Sequence, residues 1–193
     1  FLIAAFLYCF VDYKHVFVDR KALEDRARYY AWLFLKCRPY LLSLTGLFLV
    51  SGAVQYQGGE EFLDNYALLF EPGENEWWRF VTGPLIHSRP AHWIGNLTIG
   101  VAIAVACGPP QRSFFFAIFV FGGMGSFLAT LMFENYYLMS YEGGLVGTSA
   151  GLAAVMGCQL ALCLRDRDSY PKGYALTIAY FLSISFIVGA LFS

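Results

Sequence analysis

The sequence predicts an all-α fold, a polytopic bundle of transmembrane helices with five core spans and a partial apolar helix ahead of them. Three observations carry that prediction. The 193 residues are 58% hydrophobic and 14% charged, with a mean hydropathy of +0.54, whereas a soluble domain is about a quarter charged. Aromatic residues make up 19%, which suits rings lying at the headgroup levels of a bilayer. Apolar stretches long enough to cross a bilayer, roughly 17–25 residues, recur with short polar joints between them. One such stretch would also suit a buried helix of a soluble protein, but five in series do not.

The elements follow in order. Residues 1–11 are apolar but too short to span, and read as the tail of a further helix. Both ends of the sequence lie in or just past apolar runs, which reads as a processed or partial chain. Residues 12–38 are basic but interleaved with Val16, Val18, Leu23, Tyr29, Trp32 and Leu35, the pattern of a helix lying at the membrane interface or docking a partner. Residues 1–38 therefore form one region, and 39–193 a transmembrane domain with spans at about 40–56, 91–108, 114–133, 143–164 and 174–192.

Charge orients the spans. Lys14, Arg20, Lys21, Arg26, Arg28, Lys36 and Arg38 precede the first span, Arg112 joins the second to the third, and Arg165, Arg167 and Lys172 join the fourth to the fifth. The long loop after the first span is acidic, with Glu60, Glu61, Asp64, Glu71, Glu74 and Glu76. Basic joints mark the cytoplasm-equivalent side, so that loop faces outward. It is also half apolar or aromatic, and is expected to fold back onto the membrane surface.

Several function classes are excluded. A net charge of −1 gives no footing for nucleic acid. The cysteines Cys9, Cys37, Cys107, Cys158 and Cys163 form no CxxC pair and read as small buried hydrophobes. There is no GxGxxG, Walker or HExxH sequence, so neither cofactor nor metal is expected.

Polar side chains inside a span are costly and mark function. His87 precedes the second span; His92 and Asn96 open it, four apart and therefore on one helical face. A helix cap or a headgroup contact would use the same residues. The run Gly143-Gly144-Leu145-Val146-Gly147-Thr148-Ser149-Ala150-Gly151 opens the fourth span. Gly147 and Gly151 also suit close helix packing. Taken together, the two groups supply parts of a serine hydrolase: Ser149 as nucleophile, with His92, Asn96 and the Ser149 amide as oxyanion donors.

These residues resemble the rhomboid intramembrane proteases. Trp78-Arg79 is similar to the pair ending that family's first loop, and His87, His92 and Asn96 match its His-x4-His-x3-Asn run. Gly147-Thr148-Ser149-Ala150 looks like its Gly-x-Ser-x nucleophile motif. The likeness covers roughly 39–193. It implies a catalytic Ser149; an oxyanion hole lined by His92, Asn96 and Ser149; a rim at His87 and Gly147; and a first loop held by Trp78 and Arg79. The stretch at 1–11 is similar to the helix added ahead of the core in mitochondrial rhomboids, which implies an organellar inner membrane, mitochondrial or plastid. The partners implied are the lipid bilayer and a transmembrane-helix substrate, or neighbouring membrane subunits.

One departure matters. The family's base histidine lies on a sixth core helix, in an Ala-His-x-x-Gly setting, whereas the histidines here are His15, His87 and His92. His15 falls on the basic side, across the membrane from Ser149. The resemblance therefore implies a base and a sixth helix absent from this sequence. That helix packs on the small face of the fourth span, so Gly147 and Gly151 are expected to be bare to lipid or covered by something else. Two functions follow: an intramembrane serine protease lineage cutting transmembrane substrates, or a catalytically inactive rhomboid-like subunit of a larger membrane complex. A derlin-like factor that disturbs the bilayer would use the same Trp-Arg pair without needing the serine.

Overall fold

The computed structural model describes residues 20–59, 61–69, 76–133, 144–171, 173–180 and 182–183. The apolar stretch at 1–11, His15, Cys9 and the end of the fifth span lie outside them. Helix α1 is Arg20–Gly58, α2 Glu61–Tyr66, α3 Arg79–Thr82, α4 Pro90–Gln111, α5 Phe115–Phe133 and α6 Ser149–Arg165. Two short strands, β1 at Leu68–Leu69 and β2 at Gly144–Leu145, pair antiparallel. Residues 174–180 and 182–183 are helical.

Helix α1 contains 39 residues, about 58 Å at 1.5 Å per residue, against a hydrocarbon layer of about 30 Å. It runs through Pro39 without interruption. The sequence places a boundary there, between an interfacial helix and the first span; the structure instead joins residues 20–38 to the span as one rod. Pro39 removes one donor, and Leu35 and Pro39 both lie on the exposed side, where a freed carbonyl meets no packed neighbour. The opposite face explains the continuity. Leu33, Cys37, Leu44 and Phe48 are buried, at helical spacing with Tyr29 and Tyr40, so a single seam extends past the proline. Tyr29 meets Tyr174 edge-to-face, with ring centroids 5.6 Å apart.

The helices pack in the order α1, α4, α6, α5, with α6 between α4 and α5. Gly108 lets α4 approach Tyr40, and a Cβ on Gly100 would stand 3.0 Å from Leu44. Pro110 denies the Ala106 carbonyl its intrahelical donor, and the Tyr174 hydroxyl donates to that carbonyl instead. Gln111 Nε2 donates to the Val155 carbonyl at 2.8 Å, tying the basic end of α4 to α6. The outward faces are apolar: Leu42 is 76% exposed, Phe121 71% and Met132 64%. Water would penalise such a surface, and lipid solvates it. Association of the helices then rests on close packing rather than on burial from water.

One expectation changes, and one with two alternatives resolves. The fourth span is expected from residue 143, but α6 begins at Ser149, because Gly144–Leu145 is a strand and Gly147 has a φ of +108°. Of the two alternatives for the small face of that span, the structure shows the covered one. A Cβ on Gly151 would lie 2.5 Å from the Phe119 carbonyl oxygen, and α5 presents Gly123 to the same spot. The third span covers Gly151, and the second covers Gly147.

Candidate active site

The outer ends of α1, α4 and α6 converge on the predicted residues. Gln55 on α1 fixes the segment ahead of α4: its Nε2 donates to the His87 carbonyl, and the His87 N–H donates to its Oε1 at 2.9 Å. Trp93 Nε1 donates to the Phe48 carbonyl at 3.1 Å, seating the first turn of α4 on α1. Pro90 starts α4 where its missing N–H costs nothing. His92 and Asn96 then lie one turn apart, facing α6.

Opposite them stands Gly147. A Cβ there would lie 2.7 Å from His92 Cε1, 2.8 Å from Nε2 and 3.3 Å from Asn96 Nδ2. Only glycine combines that approach with a positive φ. The Gly147 N–H donates to the Gly83 carbonyl at 3.0 Å, holding the segment from the other side. Ser149 follows as the first residue of α6, with an exposed side chain whose hydroxyl makes no hydrogen bond among the described residues. It sits at a helix N-terminus, where free N–H groups and the helix dipole favour negative charge.

His87 is not at the rim, where the resemblance puts it. It is 1% exposed, tilted against Phe48 and edge-on to His92 with ring centroids 5.7 and 5.1 Å away. Its Nε2 is 3.5 Å from Oγ1 of Thr148, itself buried, and it makes no hydrogen bond to Ser149 among the described residues. Burial, and secondarily the neighbouring His92, lower its pKa from 6.5 to about 4, so it is neutral at pH 7. His92 is half-buried, and Ser88 Oγ lies 3.4 Å from its Nδ1. Asn96 is 5% exposed, and its Nδ2 has no hydrogen-bond partner among the described residues. An amide donor buried without a partner costs about 1–3 kcal/mol, which a structural asparagine would avoid.

Trp78 and Arg79 lie in the first loop, away from this cluster. Arg79 is buried and donates through Nη1 to the carbonyls of Asp64 and Ala67, each at 2.8 Å, and through Nε to Glu76 at 2.8 Å. Thr82 Oγ1 donates to the Tyr66 carbonyl at 2.8 Å. Trp78 is partly exposed; its carbonyl accepts the Val81 and Thr82 N–H groups, and its ring meets Trp77 edge-on. The loop is thus folded on itself, and the pairing of Leu68 with Leu145 fastens it to the segment that leads into Ser149.

Sequence reasoning missed Gln55 and the part played by Thr148. Gln55 carried a usable signal, as a polar side chain within an apolar span. Thr148 acts through its hydroxyl beside His87, and nothing in the run 147–150 marks it out.

A family model described as Rhomboid domain matches residues 74–193. Among curated proteins, none matches the sequence.

Proposed function

The chain belongs to the rhomboid family, and on that premise we propose that this membrane protein is of the intramembrane serine protease lineage, with Ser149 as nucleophile. The observation that supports the proposal is the close approach of Gly147, two residues before an exposed Ser149, to His92 and to a buried Asn96 amide that has no hydrogen-bond partner among the described residues. Attack of Ser149 on a carbonyl would put negative charge on its oxygen. The Asn96 Nδ2 group, the Ser149 amide and His92 Nε2 are the donors for it. A Ser88 hydroxyl donating to His92 Nδ1 leaves the ring proton on Nε2, the nitrogen that faces Gly147.

The substrate is a transmembrane segment cut near its outer end. Helical carbonyls are already hydrogen-bonded, so the segment must unwind locally before one can reach Ser149, and helix-breaking residues favour cleavage. The base that takes the serine proton is neither His87, which is buried against Thr148, nor His92, which serves as a donor. An organellar inner membrane is the address we assign, supported by the apolar stretch at 1–11.

The alternative is a catalytically inactive structural subunit, favoured by one observation: the buried histidine of the cluster is engaged with Thr148 rather than Ser149. A cleavage assay separates the two. The full-length protein, reconstituted with a transmembrane substrate bearing a Gly-Pro break near its outer end, should cut it, and Ser149→Ala should not. Equal cleavage by parent and Ser149→Ala, or none by either with the fold intact, overturns the protease reading.

A further inference from the structure

At the opposite end of the bundle, α1 and α4 leave a cavity of about 300 Å³ lined by Trp32, Lys36, Tyr40, Pro109 and Arg112. We propose that this cleft binds the phosphate headgroup of an anionic phospholipid, with Lys36 and Arg112 as its cations.

Four observations converge. The first is depth. The sequence opens the first span at about residue 40 and closes the second at about 108, which puts the cleft at the headgroup level of the basic side, where anionic lipid is attracted. The second is charge. Lys36 lies on α1 and Arg112 just past the end of α4, no acidic residue lines the cavity, and neither cation makes an ion pair or side-chain hydrogen bond among the described residues. The third is backbone strain. Arg112 has a φ of +38°, the one non-glycine residue with positive φ among those described. Glycine would hold this turn at less cost, yet a guanidinium stands there, and strain retained at a charged side chain points to a use for that side chain. The fourth is the wall. Trp32 and Tyr40 are the aromatic residues that favour the headgroup boundary, and Tyr40 is fixed by Gly108 and by the ring of Phe115, 5.3 Å away. Arg112 offers a planar fork for a phosphate and Lys36 a point charge beside it. A free phosphate ester would satisfy the same cations. The membrane-level mouth and its aromatic wall select the lipid.

The test uses the full chain in nanodiscs of phosphatidylcholine with added phosphatidylglycerol, and counts retained lipid by native mass spectrometry. Phosphatidylglycerol should be retained in preference to phosphatidylcholine. Lys36→Ala with Arg112→Gly should weaken its retention about thirtyfold, at about fivefold for each charge removed. Arg165→Ala with Arg167→Ala, on the same side but outside the cleft, should leave retention unchanged. Arg112→Gly alone should bind about fivefold more weakly while unfolding at the same temperature as the parent or higher, since it relieves the backbone; Lys36→Gln, on the exposed face of α1, gives the same reading if the glycine variant misfolds. Equal retention of the two lipids, or equal loss in both double variants, overturns the site. Displacement of the lipid by millimolar glycerol phosphate overturns the lipid as its occupant.

Discussion

Replacing Gly147 with alanine perturbs the contact on which the candidate site depends. Two costs add. A non-glycine residue at a φ of +108° costs about 1–3 kcal/mol. The new methyl would stand 2.7 and 2.8 Å from His92 ring atoms and 3.3 Å from Asn96 Nδ2, and overpacking of that kind costs about 1–3 kcal/mol. Gly147 precedes α6, so no gain in helix propensity offsets either. The expected loss is about 2–6 kcal/mol. His92→Ala separates the terms, because it removes the ring that the methyl strikes and leaves φ untouched. The double variant should therefore be more stable than the sum of the singles by about 1–3 kcal/mol. Reversible unfolding of the four proteins in bicelles measures this cycle. A Gly147→Ala loss below about 0.5 kcal/mol, or no coupling with His92→Ala, refutes the packing of this segment on the second span.

Three further outcomes are expected. Arg79→Ala strips two loop carbonyls, those of Asp64 and Ala67, of their donor; at about 1–3 kcal/mol for each group left unpaired, the loop should become open to limited proteolysis, and Arg79→Lys should restore only part of the protection. His87 has a folded pKa of about 4 against 6.5. Between those values the unfolded chain binds more protons, so stability should be flat above about pH 6.5 and fall by about 3 kcal/mol as the pH drops to about 4; His87→Gln should flatten that slope in a pH series of unfolding midpoints. Gly151→Ala puts a methyl 2.5 Å from a backbone oxygen of α5, a neighbour that cannot rotate away, so it should lower the unfolding midpoint despite the usual helix preference for alanine.

How much of this was legible in the sequence depended on what kind of signal carried it. The long apolar helices were visible because lipid demands long apolar runs, and the His92–Asn96 pair because polar groups inside such runs are conspicuous. The start of α6 was misplaced by six residues because Gly144 and Leu145 are as apolar as a helix start, and only the pairing with Leu68 makes them a strand. The covering of Gly151 by Phe119 and Gly123 could not be read, because a small-residue face states that something approaches closely without stating what. Residues 20–38 looked like an interfacial helix because their basic side is patent, whereas the seam of Tyr29, Leu33 and Cys37 that binds them to the bundle shows only against Tyr174. His87 sits in the expected cluster but beneath it, since depth below a surface is a tertiary property.

The central claim is that Ser149 is a nucleophile served by Asn96. Treatment of the full-length protein with a fluorophosphonate, followed by peptide mass spectrometry, tests it most directly. The adduct should map to Ser149, be absent in Ser149→Ala, and form at least tenfold more slowly in Asn96→Ala, which loses an oxyanion donor. A folded protein that carries no adduct on Ser149, or one labelled at the same rate with and without the Asn96 amide, contradicts the account.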